Sequence, residues 1–265
     1  MLVCVVLASA YSQYLIGGLT PILDAIVVYG VPVLIVSLLW GSTIARRAFS
    51  QGYRAVKFGL GFFGAFTVLG ALVGTVIFYI ILTLDRTAVS LLQRPNPVLH
   101  VSPEFAWIMT WVSFLVIGPA EEYIFRGFIY GGLLSLFKGR HWLNLAFISS
   151  VLFAAAHLYY AFVYGITSLV QFADLITFGM AMAITYYLSG GNLLVPAIIH
   201  GAYDATGFVG LATTPELGNL LRGSLILVGI LVSLGLLVQR MRKRRAAHRE
   251  RTRVQNPPSQ EKNSA

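Results

Sequence analysis

Apolar residues fall in long blocks separated by short polar connectors. A helix needs about 20 predominantly apolar residues to cross hydrocarbon. The blocks that approach this length are Leu2 to Gly17, Ile22 to Trp40, Phe58 to Leu84, Phe105 to Phe137, Trp142 to Tyr160, Ile166 to Leu188, Leu193 to Leu211 and Ser224 to Val238. The first is short and lacks the basic start of a secretory signal. No soluble domain fits between the blocks, and no repeat recurs at a fixed period. The pattern predicts an all-α fold, a polytopic membrane helical bundle of seven or eight transmembrane helices. It predicts one domain over residues 1–239, followed by a basic, disordered tail over 240–265.

Composition supports the same class. Of 265 residues, 57% are apolar and only 11% charged, and the mean hydropathy is +0.77. A soluble domain runs nearer one quarter charged. A disordered chain needs far lower hydrophobicity. One cysteine, Cys4, allows no intramolecular disulfide.

The net charge of +9 is concentrated at one end. From Arg240 to Ala265 there are nine Lys or Arg and two Glu, or +7, which leaves +2 for the rest. A nucleic-acid partner is therefore a poor reading of the basic balance. Arg240, Arg242, Lys243, Arg244 and Arg245 directly follow an apolar block, as a cytoplasmic topology signal does. With the loop from Gly41 to Lys57 placed inside, Arg46, Arg47, Arg54, Lys57, Lys138, Arg140 and the nine tail cations share that side. Arg86, Arg94 and Arg222 lie on the other. This split predicts a multi-pass protein of the cell membrane with a cytoplasmic C-terminus.

Glycines punctuate several blocks: Gly59, Gly61, Gly64, Gly70 and Gly74 in one, Gly127 and Gly131 in another. Small residues at such spacing let helix backbones approach closely, and close packing is the reading preferred over a gating hinge.

Ionisable groups inside a bilayer are costly and tend to mark function. They are Asp24, Glu121, Glu122, Arg126, His157, Asp174, His200 and Asp204. In Gly118-Pro119-Ala120-Glu121-Glu122-Tyr-Ile-Phe-Arg126, the Gly-Pro step predicts a helix break, with both Glu in the first turn of a new helix. Glu122 and Arg126, four apart, share a face and predict a buried ion pair. Glu121 lies roughly 100° around the helix and lacks a local partner, a fit to a general base or a metal ligand. The second pattern is Phe153-Ala-Ala-Ala-His157. The third is Pro196-Ala-Ile-Ile-His200-Gly-Ala-Tyr-Asp204, where His200 and Asp204 share a face. They can serve as two metal ligands, or as a histidine and its orienting carboxylate. Two carboxylates and two imidazoles from three blocks suit a zinc ion with a bound water, or a Glu/His pair activating water directly. On straight helices, however, the two histidines stand roughly 10 Å apart in depth. Asp24 and Asp174 receive no role.

This ordered trio resembles the CPBP family of intramembrane endopeptidases, which includes type II CAAX prenyl proteases and bacteriocin-processing proteins. The family pattern of Glu-Glu-x-x-x-Arg, Phe-x-x-x-His and His-x-x-x-Asn or Asp reads here as Glu121-Glu122-x-x-x-Arg126, Phe153-x-x-x-His157 and His200-x-x-x-Asp204. The likeness covers about Ile117 to Phe208. It implies an eight-helix fold with a cavity opening within the membrane. It implies that Glu121 and His157 activate water, and that His200 and Asp204 complete the site as metal ligands or oxyanion stabilisers. Glu122 and Arg126 would hold the helix start. The candidate metal is Zn2+, with Glu121, His157, His200 and Asp204 as its ligands. The implied partners are the lipid bilayer and a peptide or lipidated protein substrate. Many members carry Asn at the last position. An ionised Asp204 cannot donate to an oxyanion, which shifts its reading toward metal ligation or histidine orientation.

Two other classes use the same residues. A transporter or proton relay also buries Glu, Asp and His, and a helix broken at Gly118-Pro119 fits discontinuous transporter helices. A silent membrane scaffold is the third reading, and the complete polar set counts against it. No His-Glu-x-x-His and no Gly-x-Ser-x-Gly is present for zinc or serine proteases of other types.

Overall fold

The computed structural model describes residues 29–88, 90 and 102–255. Among these there are eight helices and no strand: α1 Val31–Ala45, α2 Gly52–Leu84, α3 Pro103–Leu136, α4 Trp142–Ala155, α5 Tyr159–Tyr164, α6 Ser168–Leu188, α7 Leu194–Ala212 and α8 Pro215–Gln255. The expected all-helical bundle is present. Five helices are long and apolar enough to cross a membrane, namely α2, α3, α6 with the turn before it, α7 and α8; α1 and α4 are shorter apolar helices. The expected first block, Leu2 to Gly17, and Asp24 lie outside the described residues.

Glycines set the distances between helices. At the α2–α8 crossing, a Cβ on Gly64 would lie 2.1 Å from the Gly229 carbonyl carbon. At the α3–α7 crossing, a Cβ on Gly118 would lie 2.5 Å from the Gly201 amide nitrogen. On Gly201 it would lie 2.7 Å from the Phe114 carbonyl oxygen. Any side chain at these positions would push backbone from backbone. Gly59 receives Val195 and Ile199 of α7, Gly70 faces Asp174 and Thr177 of α6, and Gly127 receives Ile44 and Leu193. The glycine-rich blocks are thus packing seams, as expected.

The expected break at Gly118-Pro119 does not occur. α3 runs on from Pro103 to Leu136, but its hydrogen bonding widens to π turns over Ser113–Ile117 and Tyr123–Tyr130. The Gly118 amide donates to the Ser113 carbonyl, five residues back. A proline lacks the N–H for the ordinary ladder and clashes with the carbonyl four residues back. A widened turn just before it relieves both problems, and such turns recur at functional sites. The likeness to a discontinuous transporter helix, which rested on this break, goes with it.

The block expected as one span from Trp142 to Tyr160 stops at Ala155. A tight turn carries the chain through Ala156 to Leu158 before α5 begins. At the other end of the molecule, the basic segment is helical where a disordered tail from 240 was expected. α8 carries Arg240 to Arg245 as helix and continues to Gln255. The Arg-, Lys- and Ala-rich sequence here consists of good helix formers. Residues 256–265 lie outside the described ones.

α7 is pinned at its start. The connector to it turns on Gly190 and Gly191, whose φ of 70° and 94° suits glycine. Asn192 then accepts from the Val195 N–H at 3.0 Å and donates to the Ser50 carbonyl at 2.5 Å. Pro196 occupies the first turn, where its missing N–H costs nothing. This fixes the rotation of α7 and therefore the direction in which His200 points.

Candidate active site

The site is built where α3 crosses α7. Because Gly118 and Gly201 meet backbone to backbone, side chains one turn along each helix are brought within reach. Glu121 and Glu122 on α3 and His200 on α7 are buried together, with Arg126 beside them.

His200 is the hub. Its Nδ1 lies 2.8 Å from Glu122 Oε1, and its Nε2 lies 3.4 Å from both Glu121 Oε2 and Asp204 Oδ2. Both ring nitrogens therefore face carboxylate oxygens. A doubly protonated ring donates on both sides, whereas a neutral one serves only one of them.

Glu122 is held in turn. Its Oε1 also meets Arg126 Nη1 at 2.9 Å, so the buried ion pair expected from the four-residue spacing is present. The Arg126 guanidinium lies over the Phe153 ring, 4.6 Å from its centroid. The quadrupole of that ring is a second support for the buried charge. α4 brings Phe153 here. Ser149 donates to the Phe125 carbonyl on the widened part of α3 at 3.1 Å, and Phe153 sets its edge against Phe125 at 5.2 Å.

Glu121, which has no partner nearby in sequence, acquires two in the fold. Its Oε1 accepts from the Tyr29 hydroxyl at 2.8 Å, and its Oε2 faces His200. Tyr29 was not anticipated. It sits in an apolar block 92 residues from Glu121, and its only sequence signal is a hydroxyl among Ile, Val and Gly. α1 follows Tyr29 and lies along α3, with the Ser37 and Tyr123 hydroxyls 3.1 Å apart and Trp40 against Phe128 at 4.7 Å.

His157 joins through rings. It follows the end of α4, where its own N–H bonds the Ala154 carbonyl. Its Nδ1 lies 2.9 Å from the Phe153 carbonyl oxygen. A carbonyl only accepts, so Nδ1 carries a proton, and in the neutral ring the lone pair is on Nε2. The Phe153 ring lies 4.9 Å from the His157 ring and 5.7 Å from the His200 ring, edge-on to both. Phe178 of α6 adds a second ring 4.8 Å from His200. The depth offset expected on straight helices is absorbed for Glu121 and His200 by the α3–α7 crossing. The turn after Ala155 carries His157 to the same aromatic cluster. Asp174 faces α2 at Gly70 instead and takes no part.

A zinc site would need three or more of these donors around one point. Among the described residues, no group of three or more His, Cys, Asp or Glu side chains is arranged to hold a metal ion. The donors are directed at one another: Glu122 at Arg126 and His200 Nδ1, and Glu121 and Asp204 at His200 Nε2.

Residues 103–206 match the family model described as Type II CAAX prenyl endopeptidase Rce1-like. This segment, less than half of the 265-residue chain, is similar to that CPBP-type family. The matched segment contains all six candidate residues, from Glu121 to Asp204, and excludes Tyr29. The family is one of membrane proteases of the CAAX type, acting on prenylated or other peptide substrates, and it agrees with the apolar helices in indicating a multi-pass membrane protein. No curated protein and no solved structure matches the chain.

Proposed function

We propose that this CPBP-family protein hydrolyses a peptide bond of a prenylated or leader-type peptide within the membrane, with Glu121 as the general base. One observation carries this reading: a buried carboxylate held from both sides, with Oε1 on Tyr29 and Oε2 on His200. Glu121 takes a proton from water, and the water oxygen attacks the scissile carbonyl carbon. The His157 Nε2 lone pair accepts the other water hydrogen as a hydrogen bond and aims the oxygen. As the tetrahedral intermediate forms, its oxyanion accepts from the protonated Nε2 of His200. Asp204 orients that N–H and does not donate. The C–N bond then breaks, and Glu121 returns its proton to the leaving amine. Glu122 and Arg126 act at one remove, fixing the His200 ring through Nδ1.

No step runs through a metal. Zinc held by Glu121, His157, His200 and Asp204 remains the alternative chemistry for the same residues, and the test includes a chelator arm. The C-terminal end is proposed to face the cytoplasm, because the cations cluster there. The domain is proposed to run through residue 239.

The test uses the full chain in lipid vesicles with a farnesylated peptide, comparing wild type with Glu121→Gln. The variant removes the base but keeps an acceptor for Tyr29. Cleavage is expected to fall on the order of 10²- to 10⁴-fold, with the thermal midpoint nearly unchanged. A chelator is expected to leave the wild-type rate intact. Undiminished cleavage by a folded Glu121→Gln protein would sink the mechanism; loss of activity on chelation, restored by zinc, would move it to the metal.

A further inference from the structure

A groove lies between the start of α2 and the far half of α8, away from the catalytic hub. α2 and α8 touch backbone to backbone at Gly64 and Gly229 and stay in contact toward the basic end, where Leu236 packs on Gly61 and Ser233 donates to the Gly61 carbonyl, so the groove runs along the seam between them. The opening has a volume of about 740 Å³. Its walls are Phe58, Phe62 and Ala65 of α2 and Leu236 and Leu237 of α8, and its rim carries Lys57, Arg240, Lys243 and Arg244. No Asp or Glu lines it. Among the described residues none of the four cations pairs with a carboxylate. Lys57 Nζ donates to Gln239 Oε1 at 2.6 Å, which ties the two helices across the floor and leaves two ammonium protons for another acceptor.

We propose that this groove binds one anionic phospholipid, its phosphate on Lys57, Lys243 and Arg244 and an acyl chain along Phe58, Phe62 and Leu237. The charge and the shape agree. Four cations that pair with no carboxylate among the described residues attract an anion, and an apolar slot that continues from them along a membrane-length helix accepts a hydrocarbon tail. From Lys57 to Ala65 the slot runs about 12 Å along α2 at 1.5 Å per residue, longer than a headgroup. A free phosphate would satisfy the rim and leave the slot empty. A neutral lipid would fill the slot and leave the rim unpaired. The proposal is independent of the protease reading.

The test is native mass spectrometry of the full chain in detergent, titrated with phosphatidylglycerol, phosphatidylcholine or inorganic phosphate. Wild type is expected to retain one phosphatidylglycerol and to lose phosphatidylcholine readily. Each cation beside an anionic lipid is worth about five-fold in binding. The triple variant Lys57→Gln, Lys243→Gln, Arg244→Gln is therefore expected to bind on the order of 100-fold more weakly. Ala65→Trp, which keeps every cation and fills the slot, is expected to lower retention several-fold. Equal retention of phosphatidylcholine, full competition by inorganic phosphate, or unchanged binding in either variant overturns the proposal. If a variant fails to fold, a phosphatidylglycerol bearing a photoreactive acyl chain decides on wild type alone. Crosslinks within 57–65 and 233–247 support the site, and crosslinks elsewhere overturn it.

Discussion

Two helix crossings in this molecule use the same device to opposite ends. At Gly118 and Gly201, α3 meets α7; at Gly64 and Gly229, α2 meets α8. In both, a missing side chain lets backbones touch. What differs is the chemistry one turn away. Beyond Gly118 and Gly201 stand Glu121, Glu122 and His200, and the close approach forces them into a buried hydrogen-bonded hub. Beyond Gly64 and Gly229 stand mostly apolar side chains with no buried charge to satisfy, and a groove runs along the seam to cations at the exposed end. A close crossing thus creates a site only where buried polar groups must be satisfied by one another.

The comparison makes its strongest claim about charge. Removing Arg126 takes the guanidinium from the fully buried Glu122 and leaves it His200 alone, and breaking such a buried pair costs about 3–5 kcal/mol. Arg126→Met is expected to unfold much of the protein, read as a fall in thermal midpoint. Lys57→Met, at the exposed rim of the other crossing, is expected to leave the midpoint within measurement error. Equal shifts in the two variants would erase the distinction.

The glycines sharpen it further. Gly201→Ala places a Cβ 2.7 Å from the Phe114 carbonyl oxygen, and Gly64→Ala places one 2.1 Å from the Gly229 carbonyl carbon. Each is expected to cost about 1–3 kcal/mol as an overpacked contact. Only Gly201→Ala is expected to lower the activity of the folded fraction, because it pushes His200 away from Glu121 and Glu122. A folded Gly201→Ala protein with wild-type kcat would show that the crossing does not set the catalytic geometry.

The smallest effect concerns Tyr29. Its hydrogen bond to a carboxylate is worth about 1.5–3 kcal/mol, shared between stability and the placing of Glu121. Tyr29→Phe is expected to lower kcat by about ten-fold, with KM little changed. A midpoint shift without any change in kcat would reduce Tyr29 to a packing residue.

Much of this was legible in the sequence, and the residues show why. The bundle follows from block length, because a bilayer accepts little else. The Glu122–Arg126 pair and the shared face of His200 and Asp204 follow from a four-residue spacing that any helix imposes. The three motifs in order carried the likeness to the family. Local rules misjudged Pro119, because a π turn can absorb a proline when the next helix presses against it. They also misjudged the segment after 239, where helix propensity outlasts the apolar block.

Spacing along the chain reaches only three or four residues, so the sequence by itself determined which side chains were costly to bury and which of them were neighbours on a helix. Only the tertiary structure decided the rest. It set His200 between Glu122 and Glu121, gave Glu121 the hydroxyl of Tyr29, and placed the Phe153 ring, a local neighbour of His157, against His200. The His200–Glu122 and Tyr29–Glu121 hydrogen bonds join residues 78 and 92 apart, and such distances depend on how closely two backbones can approach. Gly118 and Gly201 allow that approach, and no periodicity in the chain announces it.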